Sequence, residues 1–245
     1  DNKEIAGKLD KERDTMLRTN MQMIFQDPMA SLNPRKKIIE IITQGLDIQN
    51  MYPSKTEREA KGLEILERVG LSREFANRYP HQFSGGQRQR VGIARALIMN
   101  PQLIIADESI SALDVSIQAQ IVNLMKDIQE ETKVSYLCIA HDLSMVKYIS
   151  DRIGVLHQGH LLETGTTDEI FANPIHPYTR SLLSAIPHPN PRLEKHRVAL
   201  HYDYAGSGFN YALGEEHKIS DTHSVWLEPA KRDQVIQEAK NHPIV

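Results

Sequence analysis

A wholly apolar run that ends in two acids, Leu103-Ile104-Ile105-Ala106-Asp107-Glu108, constrains the fold of this chain more than any other feature. A strand that is apolar on both faces is typical of a parallel sheet covered on both sides. In such sheets, ligands bind at the carboxyl ends of the strands. The run therefore predicts a buried parallel strand that presents Asp107 and Glu108 at a ligand-binding edge. The alternative is a solvated pair of acids at a strand end, which is common.

The segments around this strand alternate between helical and extended patterns. Apolar positions recur at helical spacing before and after it, and further apolar runs follow. Strand–helix–strand repetition indicates an α/β fold with a mainly parallel sheet. The predicted elements are strands around 21–25, 103–106, 136–140 and 153–156, helices around 87–99 and 117–128, and a short β-pair that turns at Gln158-Gly159.

The sequence before and after this α/β pattern has a different composition. Residues 30–85 are predicted to be helical, with one helix beginning at Ile38 and another capped by Ser54. Beyond Pro174 the chain is rich in proline and histidine until a last amphipathic helix at 229–240. We therefore divide the chain into four segments, which are core residues 1–29, a helical subdomain over 30–86, further core residues 87–172 and a C-terminal extension over 173–245.

The tetrapeptide Ser84-Gly85-Gly86-Gln87 precedes a predicted helix and is the strongest local signal for ligand binding. Glycine lets a backbone approach a ligand closely, and the free N–H groups at a helix start favour an anion. The alternative interpretation is a glycine turn that only caps a helix. The tetrapeptide alone does not decide between the two.

His141 ends the apolar run at 136–140, just as Asp107 and Glu108 end the run at 103–106. In phosphoryl-transfer ATPases, an acid after such a strand holds Mg²⁺, and a following glutamate can orient the attacking water. A histidine that ends a neighbouring strand is then a candidate for contacting a γ-phosphate. Because a lone histidine is usually structural, this interpretation depends on the other motifs.

Charge and composition exclude several classes of protein. The net charge of -3 provides no basic surface for a nucleic acid. Cys138 is the only cysteine, which excludes an internal disulfide framework and a four-cysteine metal site. No apolar run approaches the roughly 18 residues that a membrane span needs. We therefore expect a protein of the reducing cytoplasm that crosses no bilayer.

In order and spacing, five motifs resemble those of ATP-binding-cassette (ABC) ATPases: FQDP with Gln26, the FSGGQRQ signature, LIIADE, SALD and the switch histidine His141. The resemblance implies an ABC-type, P-loop-NTPase-like nucleotide-binding domain that uses ATP and Mg²⁺. It implies that Asp107 and Gln26 hold Mg²⁺, that Glu108 is the catalytic base, and that Gln26 and His141 complete the catalytic set. The residues implied to contact ATP held by an opposing subunit are Ser84, Gly85, Gly86, Gln87 and Asp114.

Within this family, three segments resemble the ATPase subunits of oligopeptide/dipeptide importers: ASLNPR at 30–35, ALDVS at 112–116 and NPIHPYT at 173–179. The resemblance implies a second ATPase subunit (a paralogue or a second copy), membrane-spanning permease subunits and, indirectly, an extracellular peptide-binding receptor as partners. It places the chain peripherally on the cytoplasmic face of the cell membrane. We expect a helix of the permease to dock near Met29, Leu32 and Ile38.

The sequence departs from the family pattern in two ways, at one residue and in one motif. Ser109 stands where proline is usual, which leaves both acids in place. The phosphate-binding pattern G-x-x-x-x-G-K-[ST] does not occur, since Leu9 follows Gly7-Lys8. We therefore expect an importer ATPase truncated before that loop. Two alternatives stay open, which are a non-hydrolysing regulatory module that lends its signature loop to a partner, and a non-transport ABC ATPase of the DNA-repair kind. The short helical insertion disfavours the latter.

Overall fold

The computed structural model describes residues 10–52, 54–111, 113–187, 194 and 199–242, and the chain divides into two compact units, 1–141 and 142–245. The first unit contains α1 (Lys11–Asn20), β1 (Met21–Ile24), α2 (Pro28–Ser31), α3 (Ile38–Gln49), α4 (Lys55–Arg68), α5 (Gly85–Leu97), β2 (Leu103–Asp107), α6 (Val115–Thr132) and β3 (Ser135–Ile139). The second contains α7 (Leu143–Ile149), β4 (Arg152–His157), β5 (His160–Thr166), α8 (Thr167–Ala172), α9 (Pro177–Ser184), β6 (Glu215–Lys218), β7 (Ser224–Leu227) and α10 (Arg232–Asn241). The division of the chain into four segments stays a prediction.

The sheet of the first unit is parallel, with its strands in the order β1-β2-β3. Leu103 of β2 lies opposite Met21 of β1 and Ser135 of β3. Because the strands run in one direction, the segments that follow them leave from the same edge of the sheet. This arrangement confirms the predicted α/β fold and places the segments after the three strands beside one another.

The two faces of this sheet differ in burial. Ile24, Ile104 and Ala106 are buried on one face, whereas Leu137 is 53% and Ile139 50% exposed on the other. The prediction that residues 136–140 form a fully buried strand is therefore wrong. β3 is an edge strand whose successive side chains point to opposite faces, and the described residues cover only one of them.

The residues between β1 and β2 are helical, as predicted. α3 begins at Ile38, and α4 begins after Ser54, whose hydroxyl accepts the N–H of Glu57 at 3.2 Å. Gly70 follows the end of α4 with φ +76°, a left-handed conformation that glycine adopts without steric cost. The core of this helical part consists of apolar side chains from α3, α4 and α5, among them Ile38, Ile42, Leu46, Ile65, Leu66, Val91 and Ile93.

Leu32 and Ile38 belong to the interior, with only 2% and 0% of their area exposed. The prediction that they line a docking surface is therefore wrong, because each packs its apolar side chain into the helical core. The exposed large apolar side chains among residues 28–52 are Met29, Ile48, Met51 and Tyr52.

The second unit has its own sheet, in the order β4-β5-β7-β6, and every pair in it is antiparallel. β4 and β5 form the predicted hairpin, which turns at Gln158 and Gly159 with φ of +47° and +81°. The predicted strand at 153–156 thus belongs to this sheet and not to the parallel one. The short strands β6 and β7 were not predicted, because the sequence around them has weak periodicity. Among the residues that the structure describes, no helix is both long and apolar enough to cross a membrane.

A buried carboxylate organises the segment around His176. Glu163 is fully buried, and it accepts the N–H groups of Ile175 at 2.7 Å and His176 at 3.0 Å. His223 Nε2 lies 2.8 Å from the same carboxylate. A buried charge is tolerated when hydrogen bonds replace water, as they do here. His176 in turn caps α9, since its Nδ1 accepts the N–H of Tyr178 at 3.0 Å.

Candidate functional site

Glu108 follows β2 in a left-handed backbone conformation, with φ +41°. Its N–H donates to the carbonyl of Ile139 at 2.9 Å, and its own carbonyl accepts the Ser111 hydroxyl at 2.9 Å. A residue other than glycine in this region costs roughly 1–3 kcal/mol, and the conformation persists only where its surroundings hold it. The neighbouring strand and turn therefore fix the direction in which the Glu108 side chain points.

The structure brings three predicted catalytic side chains together. Gln26 Nε2 donates to Glu108 Oε2 at 2.6 Å, and His141 Nδ1 lies 3.3 Å from Glu108 Oε1. Gln26 follows β1, Glu108 follows β2 and His141 follows β3, so the parallel order of the strands explains why they meet. The Glu108 side chain is 32% exposed and that of His141 is 67% exposed. The cluster is accessible to water and to a ligand.

Asp107 is the last residue of β2 and lies beside Ile139 of β3. Its carboxylate is the first acid at the strand ends, and the Gln26 amide, whose nitrogen contacts Glu108, carries a second oxygen donor at the same end of the sheet. Among the described residues, no group of three or more histidine, cysteine, aspartate or glutamate side chains could hold a metal ion. Mg²⁺ in phosphoryl-transfer sites commonly takes one or two carboxylates and completes its shell with phosphate and water. The donor set therefore fits Mg²⁺ bound together with a nucleotide.

Ser84 is the N-cap of α5, and the predicted signature residues form its first turn. The Ser84 hydroxyl accepts the N–H of Gln87 at 3.3 Å, and Gln87 Oε1 accepts the N–H of Ser84 at 3.0 Å. These reciprocal bonds hold the start of a 13-residue helix. A Cβ at Gly86 would lie 2.6 Å from Ile117 Cγ2, so a side chain there would force the Ile117 side chain or α6 to shift.

Asp114 occupies the N-cap position of α6, and its exposed side chain makes no capping hydrogen bond. Gly85 is also close to this region, since a Cβ at Gly85 would lie 3.2 Å from Leu113 Cδ2. The predicted site residues thus form two groups. Within the described part of the chain, no hydrogen bond joins the group around Glu108 to the group around Ser84.

Sequence reasoning missed the residue that holds the segment after Gln26. Arg95 of α5 donates from Nη1 to the carbonyl of Ser31 at 2.6 Å. The available signal was a charged residue inside the apolar run from Ile93 to Leu97.

Ser109 is buried next to Glu108, and both acids remain at the end of β2, as expected.

Comparisons with known proteins agree with this arrangement. The ABC transporter family model matches residues 1–111, and the model of the oligopeptide/dipeptide transporter C-terminal region matches residues 162–203. The oligopeptide transport ATP-binding protein OppF of Streptococcus pyogenes is 48% identical over 238 residues, which cover 97% of this chain and 78% of that protein. This chain belongs to the oligopeptide/dipeptide family of ABC transporter ATP-binding proteins.

Other members of the family are more similar over a shorter stretch. OppF of Bacillus subtilis is 63% identical over 195 residues, which are 79% of this chain and 64% of that protein. OppF of Streptococcus mutans is 61% identical over 186 residues, which are 76% of this chain and 60% of that protein. The chain thus spans somewhat less than two thirds of the length of these two relatives.

Two solved structures show the same cassette fold. The dimeric ATP-binding cassette MJ0796, in a post-hydrolysis state bound to ADP and Pi, is 33% identical with a TM-score of 0.56, and the match covers 65% of this chain and 68% of that one. The cbiO1 protein of Clostridium perfringens, part of the ABC transporter complex cbiONQ, is 25% identical with a TM-score of 0.62 and covers 76% of this chain and 70% of its own.

Proposed function

We propose that this chain is the catalytic part of an ATP-hydrolysing subunit that drives the import of oligopeptides. The observation that carries the proposal is the cluster of Gln26, Glu108 and His141 at the carboxyl ends of parallel strands. Ligands bind at this edge in open α/β sheets. The family to which the chain belongs, with members named for oligopeptide and dipeptide transport, supplies the substrate class.

Glu108 is the general base in this proposal. Its carboxylate accepts the proton of the attacking water, while the Gln26 amide and the His141 ring hold it from either side. The left-handed backbone of Glu108 keeps this direction fixed before substrate binds. Such preorganisation spares reorganisation at the moment of reaction.

Asp107 and the oxygen of the Gln26 amide hold Mg²⁺ in this proposal. When bound, Mg²⁺ neutralises charge that develops on the phosphate oxygens. Asp107 and Glu108 are adjacent in sequence, so the metal-binding carboxylate and the base are placed by the same strand end. The Gln26 side chain can serve both, because its nitrogen donates to Glu108 and the amide oxygen is not used in that bond.

The signature group acts on the nucleotide of a second ATPase subunit in this proposal. The first turn of α5 presents the Ser84 hydroxyl and the N–H groups of the glycines that follow, and a helix N-terminus favours an anion. The second subunit is a copy of this chain or a paralogue. The residues assigned to this contact are Ser84, Gly85, Gly86, Gln87 and Asp114.

The phosphate-binding pattern G-x-x-x-x-G-K-[ST] does not occur in the 245 residues. Because that loop normally cradles the phosphates, the activity is proposed for the full-length protein. The 245 residues contribute the base, the metal-binding acid and the signature.

The partners are membrane-spanning permease subunits, and through them an extracellular peptide-binding receptor. The chain would then lie on the cytoplasmic face of the cell membrane. We assign the docking surface to the exposed apolar side chains at the end of α3, which are Ile48, Met51 and Tyr52. Met29 on α2 is also exposed. The occupant is a short amphipathic helix from a cytoplasmic loop of a permease subunit, which can bury this apolar area.

Reconstituted transport tests the proposal. The full-length protein, combined with its permease subunits in vesicles, should accumulate an oligopeptide only when ATP and Mg²⁺ are present on the side of the ATPase. A non-hydrolysable ATP analogue should support no accumulation. Hydrolysis of ATP without peptide uptake by a correctly assembled complex would argue for a non-transport ATPase, and absence of both activities would favour a regulatory module.

A further inference from the structure

Arg95 contacts the chain on both sides of Gln26. Its guanidinium carbon lies 5.8 Å from the centre of the Phe25 ring, directly before Gln26. Its Nη1 donates at 2.6 Å to the carbonyl of Ser31, at the end of the short helix α2 that follows Gln26. One side chain of α5 thus restrains both ends of the segment that carries Gln26.

The environment of Arg95 is unusual for a charged side chain. It is half-buried among apolar neighbours on α5, and no ion pair between Arg95 and a carboxylate occurs among the described residues. Burial lowers the pKa of its guanidinium for this reason. Withdrawing a charge from water without a counter-ion is unfavourable. An apolar residue would suit the packing of α5 better, so the contacts of Arg95 with the Gln26 segment call for an explanation.

We infer that Arg95 is a positioning residue that keeps the Gln26 amide on Glu108. Through the ring of Phe25 and the carbonyl of Ser31, it fixes where the segment leaves β1 and where it ends. The Gln26 amide, which lies between these two restraints along the chain, contacts Glu108 at 2.6 Å. This inference rests on the proposed function, since it assigns Arg95 a role in the same hydrolysis.

The position of Arg95 on α5 adds a second consequence. α5 is a continuous helix of 13 residues that follows its N-cap, the signature residue Ser84, so displacement of its start moves Arg95 as well. Arg95 therefore joins the signature group to the Glu108 group, which share no direct hydrogen bond within the described residues. Contact of a second subunit with the signature group would in this way change the position of Gln26.

The test is a double-mutant cycle on ATP hydrolysis by the full-length protein. Arg95→Met should lower kcat about tenfold with the KM for ATP nearly unchanged, since small misplacements of a catalytic group cost up to about a hundredfold. Arg95→Lys, which keeps the charge and an N–H donor group but not the planar fork, should recover part of the loss. In a Gln26→Ala background, Arg95→Met should have no further effect, because the group that Arg95 positions is already gone.

Arg180 provides a matched control in the second unit. It also donates to backbone carbonyls, among them those of Pro174 and Ala239, and burial lowers the pKa of its guanidinium as well. Arg180→Met should reduce thermal stability but leave kcat of the folded protein unchanged. Multiplicative losses from Arg95→Met and Gln26→Ala, or a loss confined to stability as for Arg180→Met, would overturn the inference. A wild-type protein without ATPase activity would instead contradict the proposed function.

Discussion

The Gln26 amide and the Glu108 carboxylate are 82 residues apart in sequence and 2.6 Å apart in the structure. The contact exists because β1 and β2 are parallel neighbours, so that the residues following them leave at the same edge of the sheet. It gives Glu108 a donor on one oxygen while His141 lies near the other. The contact holds the Glu108 carboxylate in one orientation, while the side chain remains accessible to solvent.

The 245-residue chain alone should bind ATP weakly and hydrolyse none above background. The phosphate-binding pattern does not occur within it, and the signature group is assigned to the nucleotide of another subunit. Isothermal titration calorimetry with MgATP measures the binding, and a phosphate-release assay measures the hydrolysis. Submicromolar binding together with turnover by the monomeric chain would show that its phosphate site has been misassigned.

Acid should destabilise the second unit through His176. Burial, together with the charge of His157, lowers the pKa of His176 to about 3 in the folded chain, whereas an unfolded histidine titrates near about 6.5. Between these values the unfolded chain binds one more proton, so the free energy of unfolding falls as the pH drops below about 6.5. The slope is about 1.4 kcal/mol per pH unit for this one group. Urea unfolding followed by the fluorescence of Trp226, the only tryptophan, reports on this unit.

His176→Asn is the control for this pH dependence. Asparagine is a good N-cap and does not titrate, so α9 should keep its capping bond while the proton uptake is lost. The variant should show a shallower fall of unfolding free energy between pH 6.5 and 5. Equal slopes for both proteins would mean that His176 binds its proton equally well in the folded and in the unfolded chain.

Gly86→Ala should destabilise the first unit. The added Cβ would lie 2.6 Å from Ile117 Cγ2, so the Ile117 side chain or α6 must shift to make room for it. Overpacking of this kind costs roughly 1–3 kcal/mol. Gly92→Ala in the same helix is the matched control, because no heavy atom outside the helix lies within 4 Å of its added Cβ. It should be neutral or stabilising by up to about 1 kcal/mol from helix propensity. Chemical denaturation of both variants decides whether the two glycines differ.

Aspartate substitutions at Ile48 or Met51 should uncouple transport from hydrolysis. Both side chains are exposed at the end of α3, so the fold and soluble ATPase activity of the full-length protein should change little. Peptide uptake in vesicles should fall, because a charge in the docking surface opposes burial of the permease helix. Leu32→Asp is the comparison at a buried position. Because Leu32 is buried, this substitution should unfold the helical part and so abolish both ATPase activity and uptake. Normal uptake by the Ile48 and Met51 variants in assembled complexes would exclude this surface.

The sequence was sufficient to predict the elements with strong periodicity and the residues at strand ends. Helices α3 to α6 and the run at 103–107 lie where their apolar spacing and capping residues indicated. The meeting of Gln26, Glu108 and His141 follows from parallel strands alone. These features could be predicted because each is determined by local pattern together with a general rule of sheet topology.

Features that depend on tertiary contacts were not accessible in this way. The sequence 136–140 is apolar throughout, yet Leu137 and Ile139 are exposed because the described residues leave that face of the sheet uncovered. Leu32 resembles a surface residue in a loop-like segment, but packing buries it. The strands β6 and β7 are four residues each, too short for a clear alternation. The contacts of Arg95 join segments more than sixty residues apart and leave no periodic signal.

The most direct test of the account is the turnover of ATP by full-length Glu108→Gln, compared with wild type and with Glu130→Gln, an exposed substitution on α6. A positioned general base contributes about 10²–10⁴-fold. The account predicts that Glu108→Gln loses turnover within this range while MgATP binding is kept, and that Glu130→Gln behaves as wild type. Near-normal turnover by Glu108→Gln, with MgATP bound as tightly as by wild type, would contradict the assignment of Glu108 as the base.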